Sequence, residues 1–93
     1  MPQIELAPQM ADDLQRILHH LIAHEAHSVH EHLQSIMEAI SLLGHSPLIG
    51  RPASKDMREL VIGHRNRGYI ALYRYRSEID TVFVLALKSQ REA

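Results

Sequence analysis

Two groups of side chains have types and spacings that could support chemistry, histidines in the first half of the chain and arginines and lysines in the second. His20 and His24 lie four residues apart, a spacing that lets two imidazoles on one helix face share a metal ion. No cysteine and no HExxH pattern accompanies them. We therefore predict a solvated face that gains positive charge as the pH falls, with no metal and no cofactor. The histidines of this hairpin region are His19, His20, His24, His27, His30 and His32.

The basic residues divide the chain by charge. The first 50 residues carry one Arg and six acidic residues, a net charge of -5, whereas the remainder carries nine basic and five acidic residues, a net charge of +4. Arginine holds phosphate or carboxylate by two parallel hydrogen bonds, so a cluster on a sheet suits RNA, DNA or an acidic peptide. Arginine at ordinary solvated positions explains the pattern equally well. The candidate partner-binding residues are Arg51, Arg58, Arg65, Arg67, Arg74, Arg76, Lys88 and Arg91.

Sequence motifs of nucleophilic or nucleotide chemistry are missing. The chain has no cysteine and no G-x-S-x-G turn, and its four glycines never approach GxGxxG or a P-loop pattern. We therefore assign no catalytic residue.

Two helices are expected ahead of a sheet. Residues 3–6 predict a short strand, and Pro8 suits the first turn of a helix over residues 8–25. Ser28 and Glu31 are spaced as a capping box for a second helix, which Gly44 would close in the left-handed conformation. The helical hairpin thus spans residues 8–43. Its two apolar stripes consist of Met10, Leu14, Ile17, Leu18, Leu21 and Ile22, and of Val29, Leu33, Ile36, Met37, Ile40 and Leu43.

The sheet is predicted over residues 58–88. Leu60 and Ile62 should share one face of the first of these strands. In the next strand Tyr69, Ala71, Tyr73 and Tyr75 should lie opposite Ile70, Leu72 and Arg74, with the tyrosines packed in the core or on the sheet and their hydroxyls bonded at the edge. Residues 82–87 are apolar throughout, which predicts a central strand buried on both faces. In the connection over residues 44–57, Leu48 and Ile49 are expected to contact the core.

Length and composition bound the class of protein. Ninety-three residues, 45% of them hydrophobic, make one small domain over residues 1–93. The absence of cysteine fits a reduced cytoplasmic setting, and no apolar run reaches the roughly 18 to 20 residues of a membrane span. We expect an α+β fold, in which a short strand and an antiparallel helical hairpin pack on an antiparallel sheet of three or four strands.

Three motifs in order resemble the RelE/ParE toxin superfamily of type II toxin–antitoxin systems. They are Arg58-Glu-Leu, the Gly68-Tyr strand that ends Tyr73-Arg-Tyr, and a last strand that ends near Gln90-Arg-Glu. The resemblance spans nearly the whole chain, since the family also places a strand and two helices ahead of the sheet.

The resemblance implies one of two activities. RelE-type members are ribosome-dependent, metal-independent mRNA endonucleases that commonly carry Arg after the Gly-Tyr pair and Tyr near the C-terminus. Here Ile70 follows Tyr69, and no tyrosine follows Tyr75, which argues against RNase activity. The local sequences look closest to the ParE branch, although Ser89 stands where many relatives carry His.

The resemblance therefore implies a ParE-type toxin of a plasmid-stabilisation system. Such a protein inhibits DNA gyrase by binding, is not an enzyme, and is neutralised by a ParD-like antitoxin, as a homodimer or a toxin–antitoxin hetero-oligomer. The alternative is a RelE-type endonuclease.

Overall fold

The computed structural model describes residues 1–63 and 68–90 and has the predicted α+β fold. Each predicted strand and helix is present within one or two residues of its expected ends. The structure adds a two-residue strand, which is too short to produce a sequence pattern. The elements in chain order are β1 (Gln3–Leu6), α1 (Pro8–His24), α2 (Val29–Leu43), β2 (Arg51–Pro52), β3 (Met57–Ile62), β4 (Tyr69–Arg76) and β5 (Thr81–Ser89).

The five strands form one sheet in the order β1-β5-β4-β3-β2. The pairs β2–β3, β3–β4 and β4–β5 are antiparallel, whereas β1 runs parallel to β5. The sheet is therefore larger than the expected three or four antiparallel strands. The parallel pair joins residues such as Ile4 and Val82 that are far apart in sequence, and no local pattern reports such a contact.

The core lies between the helices and one face of the sheet. Leu60 and Ile62 of β3 point into it, as do Ala71 and Tyr73 of β4, so the predicted alternation of these strands is confirmed. Strand β5 is internal, as predicted, but the expectation that both its faces are buried is wrong. Val82 and Val84 are fully buried, whereas Phe83 between them is partly exposed.

The buried stripes of the helices are narrower than the sequence suggests. On α1 the buried apolar residues are Met10, Ile17 and Leu21, and on α2 they are Ile36, Ile40 and Leu43. The side chains of Ile22 and Met37 were expected in the stripes but are 59% and 49% exposed. Each follows a buried residue directly, and the 3.6-residue turn rotates it out of the interface. Among the described residues, no helix has the length and apolar character needed to cross a membrane.

The two predicted helix-end motifs are not formed. A short 3-10 turn, Ala26–Ser28, occupies the connection, and the Ser28 hydroxyl donates to the Glu25 carbonyl instead of capping α2. Gly44 has φ -72° and ψ -14°, a right-handed conformation in which the turn simply continues beyond α2. Both motifs were inferred from residue type at a helix boundary. The backbone instead forms a 3-10 turn before α2 and keeps a right-handed conformation at Gly44 after it.

Candidate partner-binding surface

The sheet face opposite the helices, which we call the outer face, is apolar at its centre. Side chains alternate along each strand, so the neighbours of the core residues lie on this side. Val61 pairs with Ile70, and Leu72 pairs with Ala86 in β5. Val61 is 46% exposed, and the other three are partly exposed. The outer face includes Glu5, Met57, Glu59, Val61, Ile70, Leu72, Arg74, Arg76, Phe83, Ala86 and Lys88.

A β-bulge keeps the outer face in register along β5. Tyr73 pairs with Val84 and Leu72 with Ala86, so Leu85 has no partner in β4. The extra residue shifts the alternation by one position. Val84 and Leu87 therefore both point into the core although they are three residues apart, and Ala86 joins the outer face.

Arg74 and Arg76 are held at one end of the outer face by a shared carboxylate. Arg74 Nε lies 2.8 Å from Asp56 Oδ1, and Arg76 Nη1 lies 3.2 Å from Asp56 Oδ2. Desolvation alone raises the pKa of Asp56, but the hydrogen bond from Arg74 and the charges of both arginines outweigh it and hold this pKa below its ordinary value. Both cations are thus partly neutralised within the chain.

The remaining predicted basic residues do not form one cluster. Arg51 pairs with Glu59 at 3.0 Å, whereas Lys88 is exposed on the outer face with no ion pair among the described residues. Arg58 donates to the carbonyls of Leu48 and Gly50, at 3.2 and 2.7 Å. Arg65, Arg67 and Arg91 lie outside the described residues.

Gly50 and Tyr73 anchor the connection between α2 and the sheet. The Gly50 N–H donates to the hydroxyl of fully buried Tyr73 at 2.8 Å, while Arg58 binds the Gly50 carbonyl. A Cβ on Gly50 would lie 2.7 Å from the Tyr73 ring, so only glycine fits. Leu48 and Ile49, expected to contact the core, are 59% and 51% exposed. The backbone of Gly50, rather than an apolar side chain, fixes this segment.

The Gly68-Tyr69 pair owes its residue types to close packing. A side chain on Gly68 would collide with the carbonyl of Ile62 in β3. Tyr69 is buried, and its hydroxyl lies 2.7 Å from Nδ1 of His32 on α2.

His32 is partly buried, so the predicted solvated histidine face is wrong at this residue. It is right for the other five, His19, His20, His24, His27 and His30, which are exposed.

The third tyrosine forms a bond at the end of β4, which agrees with the expected role of these side chains. The Tyr75 hydroxyl donates to Asp80 Oδ1 at 2.7 Å. This hydrogen bond, followed by desolvation and the negative charge of Asp80, raises the pKa of Tyr75. Asp80 itself has a positive φ of 49° in the turn that leads into β5. The three tyrosine hydroxyls thus bond three different segments: Tyr69 contacts His32 on α2, Tyr73 accepts from Gly50, and Tyr75 donates to Asp80.

Asp13 is a buried polar residue that sequence reasoning missed. Its side chain is on the core side of α1, with Oδ2 accepting the Leu87 N–H at 2.9 Å and Oδ1 accepting from Gln9 at 2.8 Å. Strand β1 ends at Leu6 opposite Val84, so Asp13 bonds a β5 amide beyond the end of that pairing. Asp13 lies three residues after Met10 and four before Ile17, so the helix period already placed this aspartate on the apolar stripe. That spacing was the signal from which its burial could have been predicted.

The described residues contain no group of three or more histidine, aspartate and glutamate side chains arranged to hold a metal ion. In that part of the chain every buried side-chain polar atom has a hydrogen-bond partner. The outer face itself presents apolar side chains at its centre and basic side chains, among them Lys88 and Arg74, at its margin.

Solved structures of other proteins share the fold, and three of them illustrate the likeness. The chromosomal ParDE toxin–antitoxin system from P. aeruginosa superposes with a TM-score of 0.78 at 19% identity, covering 96% of both chains. The intact E. coli RelBE toxin–antitoxin complex gives 0.65 at 16% identity, again covering 96% of both. A metal-bound toxin from Helicobacter pylori gives 0.57 at 14% identity, covering 99% of this chain and 98% of the other. At these identities the likeness establishes the fold alone.

Sequence comparison establishes the family. None of the curated protein sequences matches the chain significantly. The family model of the ParE toxin of type II toxin–antitoxin system, parDE, matches residues 4–93. This match includes both helices and all five strands, apart from Gln3 at the start of β1. The chain therefore belongs to the ParE toxin family of type II toxin–antitoxin systems.

Proposed function

We propose that this protein is a toxin that inhibits DNA gyrase by binding to it, and that a ParD-like antitoxin neutralises it in the cytoplasm. The observation that carries the proposal is the family match over residues 4–93. The solved ParDE system and RelBE complex that share the fold support an antitoxin partner for this chain. Assembly as a toxin–antitoxin hetero-oligomer, or as a homodimer when free, belongs to the same proposal.

The outer face argues for binding rather than for RNA cleavage. The position after the Gly-Tyr pair holds Ile70, whose strand neighbours are Val61 and Lys88. Stabilising a phosphate transition state requires cations already directed at the developing charge. Arg58 is bound instead to backbone carbonyls, and Arg74 is bound to Asp56. These contacts favour gyrase inhibition over the alternative, a RelE-type endonuclease.

The decisive experiment compares the two targets with the same purified protein. We expect inhibition of DNA supercoiling by gyrase in vitro, and a DNA-damage response when the toxin is expressed without antitoxin. Ribosome-bound mRNA should remain uncut, because loss of one preorganised charge stabiliser typically costs about a hundredfold to a thousandfold in rate. Codon-specific mRNA cuts with unaffected gyrase would replace the proposal by the endonuclease alternative.

The antitoxin is proposed to cover the outer face. Val61, Ile70 and Leu72 form a partly exposed apolar centre, and Lys88 lies beside Ile70 at its margin. An antitoxin segment that is disordered when free could fold onto this face, burying apolar side chains and placing acidic groups near the cations. Arg51, Arg74 and Arg76 are candidates for those contacts once their internal carboxylates are displaced or shared.

Two paired substitutions test the docking face. Val61→Asp places a charge at the centre of the outer face and should weaken antitoxin binding strongly, whereas Ile79→Asp, at a 60% exposed position in the turn before β5, should not. Because both sites are exposed, both variants should fold. Equal affinities for the antitoxin in titration calorimetry would exclude the outer face.

The marginal charge is tested at Lys88. Lys88→Glu should lose more antitoxin affinity than Lys88→Ala, because reversal adds repulsion to a lost attraction. The loss for the alanine variant should be about 0.2 to 1 kcal/mol if the contact stays solvated, and about 2 to 5 kcal/mol if the partner desolvates it. Identical affinities for parent, alanine and glutamate proteins at low salt would show that Lys88 remains in solvent.

A further inference from the structure

The last two turns of α1 carry two histidines side by side. His20 and His24 are both exposed, and their ring centroids lie 4.7 Å apart with an interplanar angle of 41°. Their four-residue spacing places them on one helix face. Neither side chain belongs to the core, so the packing of the fold does not explain why they are paired.

The separation of the two rings matches that of two imidazoles on one metal ion. A divalent transition metal lies about 2.0–2.1 Å from an imidazole nitrogen, and the ring centre lies about 1.1 Å further on. Two such ligands at an angle of about 90 to 110° at the metal have centroids about 4.5 to 5.2 Å apart. The observed 4.7 Å falls within this interval.

Against the expectation from the sequence that these histidines hold no metal, we propose that His20 and His24 form an exchangeable two-histidine site for a divalent transition metal ion. Imidazole is a good ligand for copper, nickel and zinc, and the general order of divalent affinities predicts Cu²⁺ binding that is tighter than Ni²⁺ or Zn²⁺ binding. The site lies at the C-terminal end of α1, where the partial negative charge of the helix favours a cation.

The site is distinct from a structural metal centre. Among the described residues no third histidine, aspartate or glutamate completes it, so water occupies the other coordination positions. The core is formed without it, because His20 and His24 contribute nothing to the buried cluster. Binding should therefore raise the melting temperature of the folded protein without being needed for folding.

The test uses tag-free protein, stripped with chelator and titrated by calorimetry with CuCl₂, NiCl₂ or ZnCl₂. Removing a residue that merely orients a metal ligand costs about 10- to 100-fold in affinity, so His20→Ala and His24→Ala should each cost at least about tenfold. His30→Ala and His45→Ala are matched controls, since each removes one exposed imidazole elsewhere and should leave Cu²⁺ affinity unchanged.

Electron paramagnetic resonance of the Cu²⁺ complex separates a defined site from diffuse binding. The parent should show two coordinated nitrogens, and each of the two site variants should show one. The proposal is overturned if His20→Ala and His24→Ala bind Cu²⁺ like the parent. It is equally overturned if His30→Ala loses as much affinity as they do, because the histidines would then bind the metal without a preferred pair.

Discussion

Single buried polar atoms determine how the connection after α2 attaches to the sheet. The hydroxyl of Tyr73 is the acceptor for the Gly50 N–H, and both groups are buried. Tyr73→Phe keeps the ring but leaves this N–H without an acceptor, which should lower the free energy of unfolding by about 1 to 3 kcal/mol. Urea denaturation measures the difference.

Tyr75→Phe is the matched control for that substitution. It removes the same atom, but from a hydroxyl that bonds Asp80 at the exposed end of β4. Water can replace this bond, so little stability should be lost. If the two variants unfold at the same urea concentration, the hydrogen bond from Gly50 to Tyr73 stabilises the fold no more than the exposed bond of Tyr75 does.

Asp13 is a second buried polar residue whose side chain joins two elements, here α1 and β5. Its carboxylate bonds the Leu87 N–H beyond the end of the β1–β5 pairing. Asp13→Ala should cost about 1.5 to 3 kcal/mol, the usual worth of a hydrogen bond to a charged group, while Asp13→Asn, which keeps an acceptor oxygen, should cost less. Asp12→Ala, at the exposed neighbouring position, should have almost no effect. Equal losses for the alanine and asparagine variants at Asp13 would argue against the amide contact.

At the scale of helices, the buried stripes are narrow enough that two aliphatic residues of the predicted stripes, Ile36 and Leu18, differ in burial. Ile36 is completely buried on α2, so Ile36→Ala should leave a cavity and cost about 2 to 5 kcal/mol. Leu18 on α1 is only partly buried, and Leu18→Ala should cost less. Thermal unfolding of the two variants ranks them. A larger loss at Leu18 would mean that α1 is rotated relative to the described packing.

The two arginines bound to Asp56 tie the entry of β3 to the end of β4. Because the pKa of Asp56 is lowered in the folded state, its pairing with the two arginines stabilises the protein at a pH above the ordinary carboxyl pKa of 3.8. This contribution is lost as the pH falls through the folded value. Asp56→Asn should therefore be less stable than the parent at pH 7, and the difference should shrink as the pH falls towards 3. Urea unfolding across this range measures it, and a constant difference would rule out the charge interaction.

Local patterns predicted the elements well, and long-range contacts escaped them. The alternation of Leu60 and Ile62 and the helix period around Ile17 are visible within a few residues, so the strands and helices were found. The pairing of β1 with β5, the bulge at Leu85 and the Asp13 contact depend on segments distant in sequence. For the surface, residue type identified the basic candidates but not their internal partners, and it gave no sign that Arg58 binds backbone carbonyls.

At the scale of the whole molecule, β1 protects one edge of the sheet. It contributes the pairs from Gln3–Thr81 to Leu6–Val84, and Ile4 packs against the core. Deleting residues 1–6 should expose the edge of β5, lower the melting temperature and promote aggregation. Deleting residues 1–2, which precede the strand, is the control. Light scattering during heating compares the aggregation of the two truncated proteins. If both aggregate at the same temperature, β1 does not protect the edge of β5.

The β1–β5 pairing also sets the point during synthesis at which the sheet can be completed. β1 leaves the ribosome early, but its partner emerges only after both helices and the other three strands. Until then β1 has no neighbouring strand, and the inner face that Val82 and Val84 complete does not exist. A nascent chain is consequently unable to present the finished sheet. The outer face, which includes residues of β5, can therefore form only after β1, both helices and β2 to β4 have been synthesised.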